Sequence, residues 1–575
     1  MAGLPLEHAW SNVRIRSGTW ERVIALSMRI ICLQLQSRQK TIGRLAPADR
    51  TAKAQVPRPT GVTLTLLFLA ILLSATGARG NVTVPDVISN SMVLQRDCAV
   101  PIWGTADPGE TVVVVFASQT QSTKAGRDGK WGVTLSPLPA SATPGTMIIS
   151  GNNTITLNDV LVGEIWIVSG QSNMQFTVAE SADGEAAIAA ANGPAVRLFN
   201  VRRKVAFQHE SGPLSQWQPS SPASVRDFSA AGYYYAIQLR DALHVPIGII
   251  NSSYGGTQAE AWTPVEYLLA LPDLRPCVER SKLWDEERPR VKAEYDEQMQ
   301  HWREVAEKAK AEGARPPSEP RVPDALRESR IAASLYDRMI APLIPFAIRG
   351  VVWYQGESNE ARAQQYELLL PTMIKAWRER WGQGNFPFGI VQLPNYRDPQ
   401  PQPSDEPWSF LREAQRRTAL STPDSGLIVT IDIGEARDIH PKDKLDVGKR
   451  MARWALVVAY HQKMTVSGPM FRSAKRKGSS LVLTFDEVGK GLRVRNGGKL
   501  EEFAVAGADH QWHWASARIK GRNRVAVWSG DVPQPQAVRY AFNSNPRNPN
   551  LSNDAGLPAA PFRSDNWPGP TDGKR

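Results

Sequence analysis

Only three of the 575 residues are cysteine and only eight are histidine. Three thiols (Cys32, Cys98, Cys277) are too few to staple a disulfide scaffold or to complete a four-cysteine zinc site. The apolar run at 62–73 is twelve residues long, short of the about 20 that a membrane-spanning helix needs. Disorder is excluded as well, because 42% of the chain is hydrophobic and 22% charged. At roughly 100–200 residues per domain, a chain of this length predicts several cores.

The net charge of +12 invites a nucleic-acid reading, but its placement argues otherwise. Residues 1–60 carry ten Lys or Arg against Glu7, Glu21 and Asp49. The apolar run then ends in the small residues Ser74-Ala-Thr-Gly-Ala78. A basic stretch, a short apolar core and small residues predict a signal peptide cleaved near Ala78, hence export to a periplasmic or extracellular space without stable membrane insertion. The leader at 1–80 is long for that role, which translation from Met28 or later would explain. Without it, residues 81–575 retain +4, and no nucleic-acid motif is present.

From 81 to 161, short β-rich runs such as Thr111-Val-Val-Val-Val-Phe116 alternate with Asp107-Pro-Gly and Arg127-Asp-Gly turns, predicting a β-sandwich segment. From 162 to 466, buried strands alternate with helices, as in an α/β domain. Three strands at 164–169, 245–250 and 348–353 each end in a polar, glycine-containing turn, and a fourth is expected at 428–432. The stretch 282–312 holds 16 charged residues and reads, with the proline-rich segment up to 323, as an exposed helical insert. Residues 467–565 return to β, and 566–575 read as a loose tail.

The first α/β strand leads into Ser169-Gly-Gln-Ser172-Asn-Met174. A serine at a strand-to-helix turn is a position for a nucleophile, with helix N–H groups available to an oxyanion. The spacing departs from the Gly-x-Ser-x-Gly elbow, because Met174 replaces the second glycine. A serine nucleophile needs a base. His8 lies in the leader, and His209, His244, His301, His461, His510 and His513 lack an acidic loop setting. His440 alone sits in a loop crowded with acids after a buried strand: Glu435, Asp438 and Asp443. In extended backbone Asp438 shares a side with His440 and is placed to orient its ring. Two further turns, Asn251-Ser-Ser-Tyr-Gly255-Gly256-Thr and Trp353-Tyr-Gln355-Gly356-Glu357-Ser-Asn359, bring backbone N–H groups and side-chain amides to strand ends where open α/β folds bind ligands.

Together these motifs resemble the sialate O-acetylesterase family of SGNH hydrolases. The likeness runs through Met92-Val-Leu-Gln-Arg96, Trp103-Gly-Thr, Leu335-Tyr-Asp-Arg-Met-Ile-Ala-Pro342 and Gly556-Leu-Pro-Ala-Ala-Pro-Phe-Arg563, covering about 85–565. The resemblance implies a three-layer α/β, flavodoxin-like SGNH core flanked by β-sandwich or jelly-roll segments, with no metal and no organic cofactor. It implies Ser172 as nucleophile and His440 as general base and acid. The Ser172 N–H, an N–H of the Gly255-Gly256 pair and an amide of Gln355 or Asn359 would form the oxyanion hole, with Gln171 beside them; strand-end position favours Gln355. The wider family pattern places Asp three residues before His, where this chain has Arg437. Asp438 is therefore the expected acid, with Glu435 or a bare Ser–His dyad as alternatives.

The implied activity is removal of O-acetyl groups from a carbohydrate, sialic acid or a polysaccharide. Competing readings are a non-catalytic carbohydrate-binding protein and a glycoside hydrolase using Glu357 with Asp438 or Glu435. Trp166, Trp262 and Trp353 lie near the motifs, and core packing is their expected role. Oligomeric state and any pairing of Cys98 with Cys277 are not legible at this level.

Overall fold

The computed structural model describes residues 81–203 and 215–575. The leader, its apolar run and His209 lie outside the described residues. Among those described, no helix is long and apolar enough to cross a membrane.

The central sheet is built from β1 (Thr154–Gly170), β2 (Gly193–Asn200), β3 (Trp217–Ser220), β4 (Ile247–Ser253), β5 (Gly350–Tyr354), β6 (Phe388–Val391) and β7 (Ser425–Ile428), in the spatial order β7-β6-β5-β1-β4-β2-β3. Neighbours are parallel except the edge pair β2–β3. With β2 and β3 set aside, the order is 2-1-3-4-5 in chain sequence, the flavodoxin-like arrangement. Alternate side chains of each strand enter opposite cores. Ile165, Ile167, Val351 and Trp353 face α4 (Ala363–Trp381) and α5 (Pro407–Ser421). Trp166, Val168, Val352 and Tyr354 face α2 (Ala230–Leu243) and α6 (Lys444–Val458). Burial on both faces explains why these strands read as unbroken apolar runs.

The expected fourth strand lies earlier than 428–432. It spans Ser425–Ile428, because β6 ends at Val391, ahead of Pro394, and offers residues 429–432 no ladder. The boundary expected at 161/162 falls inside β1, a single strand of 17 residues. Its first half pairs antiparallel with Ser141–Ser150 of the N-terminal β segment, and its second half is the middle of the central sheet. The two regions therefore share one continuous core.

The Met92-Val-Leu-Gln-Arg96 motif makes this junction. Val93–Gln95 runs parallel to β1, and Gln95 receives the Ile165 N–H on its side-chain oxygen at 2.8 Å. Glu164 is fully buried there and is met by Arg96, by Gln95 at 3.0 Å and by Arg349 at 2.8 Å. Those donors outweigh burial and hold its carboxyl below the ordinary range.

The charged insert is one helix, α3 (Arg275–Ala311), anchored by buried Cys277, Val278 and Ser281 and otherwise mostly exposed. Cys98 and Cys277 are both free thiols. Beyond 466, two four-stranded antiparallel sheets enclose a third core that includes Leu483, Phe485, Val527 and Phe562. The last ten residues are not loose. Thr571 is buried and bonded to Gln364, and Arg575 pairs with Asp273 at 3.1 Å.

Glu164→Gln leaves Arg349 without its counter-charge and Arg96 with only the exposed Asp97 at 3.5 Å, each arginine being about a quarter exposed. The expected loss of unfolding free energy is about 2–3 kcal/mol, read as a lower urea midpoint at unchanged slope. A midpoint equal to that of the wild type would remove this junction from the stability argument.

Candidate active site

Ser172 stands at the start of the one-turn helix Ser172–Gln175, directly after β1. Gly170 makes that exit possible. Its φ is +136°, and a Cβ there would lie 2.1 Å from the Tyr354 carbonyl oxygen, so no larger residue fits. The Gln171 N–H donates to that same carbonyl at 3.0 Å, fixing the first residue of the turn against β5. The buried Gln171 side-chain oxygen accepts from the Ser358 N–H at 3.2 Å, so this side chain braces the third strand's loop.

His440 lies in the irregular loop between β7 and α6. Its Nε2 is 2.8 Å from Ser172 Oγ, across 268 residues of sequence. The loop is pinned along its length. Gly434 N–H donates to Asn395 Oδ1 at 2.7 Å, Arg397 N–H to the Ala436 carbonyl at 2.9 Å, and Ala182 N–H to the Lys442 carbonyl at 3.0 Å. Phe176 lies nearly parallel to the imidazole, with ring centroids 6.3 Å apart. Burial lowers the His440 pKa below its ordinary 6.5; Lys444 pushes the same way, and Asp438 and Glu180 oppose. The ring is therefore neutral at pH 7 and able to take a proton from Ser172.

The backbone around the histidine is turned rather than extended, which changes what Asp438 does. Its Oδ1 accepts the His440 backbone N–H at 2.9 Å and stands 3.7 Å from Nδ1, beyond hydrogen-bond range. It acts on the ring as a nearby charge. Glu435, the alternative acid, accepts the Lys442 N–H at 2.9 Å.

The other nominated residues surround this pair. A Cβ on Gly255 would lie 3.3 Å from Ser172 Cβ, so the glycine brings the second strand's turn against the serine. Its N–H is held by the Gln175 side-chain oxygen at 2.7 Å. Gly256 has a φ of +70° and open space where a Cβ would be. Gln355 is fully buried and committed: its amide donates to the Thr257 carbonyl at 3.1 Å and to Asn359 Oδ1 at 2.7 Å, and its oxygen accepts from Tyr366. Asn359 spends one amide hydrogen on Glu260 at 2.8 Å. Trp166, Trp262 and Trp353 are fully buried and belong to the core.

Sequence alone assigns no role to four further residues of this region. Gln175 caps Gly255, and Glu260 holds Asn359 while paired with Arg280 and Arg362. Asn173 and Lys444 are bonded to each other at 2.6 Å and buried behind the serine. For Lys444 the available signal was a lysine closing the acid-crowded loop at the start of a helix.

Comparison with known proteins bears on what such a site does. The family described as carbohydrate esterase, sialic acid-specific acetylesterase, matches residues 162–310 and 324–456; the gap falls on the end of the charged insert. The sialate O-acetylesterase of Mus musculus is 32% identical over 448 residues, covering 70% of this chain and 78% of its own. That of Rattus norvegicus is 29% identical over 538 residues, covering 85% and 94%. A crystal structure of a carbohydrate acetylesterase from Xanthomonas citri superposes with a TM-score of 0.71 at 35% identity, covering 84% of this chain and 100% of that one. The chain thus belongs to the carbohydrate esterase, sialic acid-specific acetylesterase family, and is a carboxylic ester hydrolase.

Proposed function

We propose that this protein removes O-acetyl groups from a carbohydrate through an acetyl-serine intermediate, with Ser172 as nucleophile and His440 as general base and acid. The observation that carries this reading is the 2.8 Å contact between Ser172 Oγ and a neutral His440 Nε2 at the carboxyl ends of the parallel strands. Ser172 Oγ attacks the acetyl carbonyl as His440 takes its proton. The tetrahedral oxyanion collapses, breaking the bond to the sugar oxygen, which leaves with the proton from His440. Water, deprotonated by His440, then attacks the acetyl-serine and releases acetate.

The oxyanion hole follows from which donors are left. The Ser172 N–H, in the first turn of its helix, has no intrahelical acceptor. Gly255 N–H is occupied by Gln175, which makes Gly256 the donor of the glycine pair. Both Gln355 amide hydrogens are engaged, whereas Asn359 uses one of two on Glu260. Asn359, rather than Gln355, is accordingly the amide we assign to the hole. Asp438 serves as an electrostatic partner of the ring.

The 2-1-3-4-5 strand order, with the serine after its first strand, supports a three-layer SGNH core over 162–466 with flanking β segments at 81–161 and 467–565. The leader at 1–80 supports export with cleavage near Ala78. Intact mass of protein recovered from the exported fraction should begin within a few residues of Ala78; a mature chain retaining its basic leader contradicts this.

Acetate release from acetylated xylan and from O-acetyl sialic acid tests the reaction and ranks the two substrate classes. Ser172→Ala is expected to abolish release from both at an unchanged thermal midpoint. Full activity in that variant sinks the assignment.

The acid limb of kcat/KM should fall below pH 6.5, because the base is a histidine whose pKa is lowered by burial. Asp438→Asn keeps an acceptor for the His440 N–H but removes a charge that raises the ring's pKa, so the limb moves to still lower pH. An upward move would contradict the electrostatic role of Asp438.

A further inference from the structure

His440 lacks a hydrogen-bonded carboxylate on its ring, so its position must be secured elsewhere. Behind the serine, Asn173 Nδ2 donates to the Ile439 carbonyl at 3.0 Å and to Glu357 Oε1 at 2.6 Å, while its Oδ1 accepts from Lys444 Nζ at 2.6 Å. One amide thus ties the residue after the nucleophile to the residue before the base. Lys444 is fully buried, its ammonium 4.8 Å from the Phe176 ring centroid and 5.6 Å from that of Tyr354. Glu357 Oε2 is shut off from solvent with no hydrogen-bond partner among the described residues. A buried lysine and a buried carboxylate on either side of one asparagine are costly to assemble. Stability alone gives no reason to place them around the asparagine that bridges Ser172 and Ile439.

We propose that Asn173, Lys444 and Glu357 form a positioning network that clamps the Ile439 carbonyl and so holds His440 Nε2 on Ser172 Oγ. The inference rests on the reading of Ser172 and His440 as nucleophile and base. The network touches no substrate, so it acts on kcat through the geometry of the pair. It also has an electrostatic signature. Lys444 adds a positive charge near the ring, opposed there by Asp438 and Glu180. Burial pushes the lysine down to about 7 against the pull of Glu357, Asp438, Glu435 and Asp443, and on the acid side of that value it carries its charge.

The test uses the full chain with 4-nitrophenyl acetate as probe, across pH 5 to 9, alongside thermal unfolding. Lys444→Met should lower kcat on the order of 10- to 100-fold with KM within about twofold. Its acid limb should move to higher pH, because the cation is gone while Asp438 and Glu180 remain. Lys444→Arg keeps charge and donors and should hold the limb at its wild-type position. A Lys444→Met protein with kcat within about twofold of wild type, or with reduced kcat and an unmoved limb, overturns the proposal. If Lys444→Met does not fold, Asn173→Ala carries the test, since it deletes the clamp and leaves the charge. A comparable fall in kcat is then expected, and kcat within about twofold of wild type overturns the clamp. Wild-type turnover that survives Ser172→Ala would strike the nucleophile assignment instead, a separate readout.

Discussion

The contact between Ser172 and His440 spans 268 residues, and neither residue stands on an element that could hold it alone. The serine heads a single helical turn and the histidine sits in an irregular loop. Such segments have little intrinsic rigidity, so the surroundings must supply the precision that the proposed acyl transfer demands. The parallel sheet supplies half of it. β1 delivers the serine past the Tyr354 carbonyl, through a gap that only glycine clears. β4 brings Gly255 against the serine from one side, and β5 brings the Gln355–Asn359 turn from the other.

The other half comes from the C-terminal β segment, although it contributes none of the proposed reacting groups. Tyr396 N–H donates to the Ser544 carbonyl at 3.0 Å, and Asn395 Nδ2 to Asn545 Oδ1 at 3.0 Å. The same Asn395 receives Gly434 N–H, and neighbouring Arg397 N–H reaches Ala436. Support therefore passes from the irregular stretch after the C-terminal strand Ala537–Tyr540, through the loop after β6, into the loop that carries His440. A β segment that reads as flanking in sequence walls the loop that carries His440.

Legibility followed the range of the interactions. Alternation of buried strands and helices, and the polar turns at strand ends, are local patterns, so the α/β core and the turns that carry Ser172 and His440 are legible directly. Features set by contacts between distant segments could not. The chain gives no sign that β1 continues unbroken through the expected boundary at 161/162, because its partner changes from Ser141–Ser150 to the central strands halfway along. An extended backbone would turn Asp438 toward the ring, but the loop turns, and its carboxylate accepts the His440 backbone N–H instead. Position at the strand end favours Gln355, whereas its hydrogen-bond saturation by Thr257, Asn359 and Tyr366 exists only in three dimensions. The tail at 566–575 looked loose because its anchors, Gln364 and Asp273, are two hundred residues away or more.

The distribution of charge makes sense in the same terms. Several buried carboxylates are each met by two arginines, Glu413 and Asp565 among them, and three lie along the framework of the site: Glu164 by Arg96 and Arg349, Glu260 by Arg280 and Arg362, Asp432 by Arg450 and Arg495. In all three the arginines outweigh burial and keep the acid ionised. Such clusters return little net stability for their desolvation, yet they penalise every arrangement that separates their members. Their positions fit that use. Glu164 sits in the strand that leads to Ser172, Glu260 holds Asn359, and Asp432 anchors the root of the loop that carries His440. Arginine in these clusters is committed to internal acids, so the modest positive charge of residues 81–575 is no sign of a basic binding face. It calls for no anionic partner.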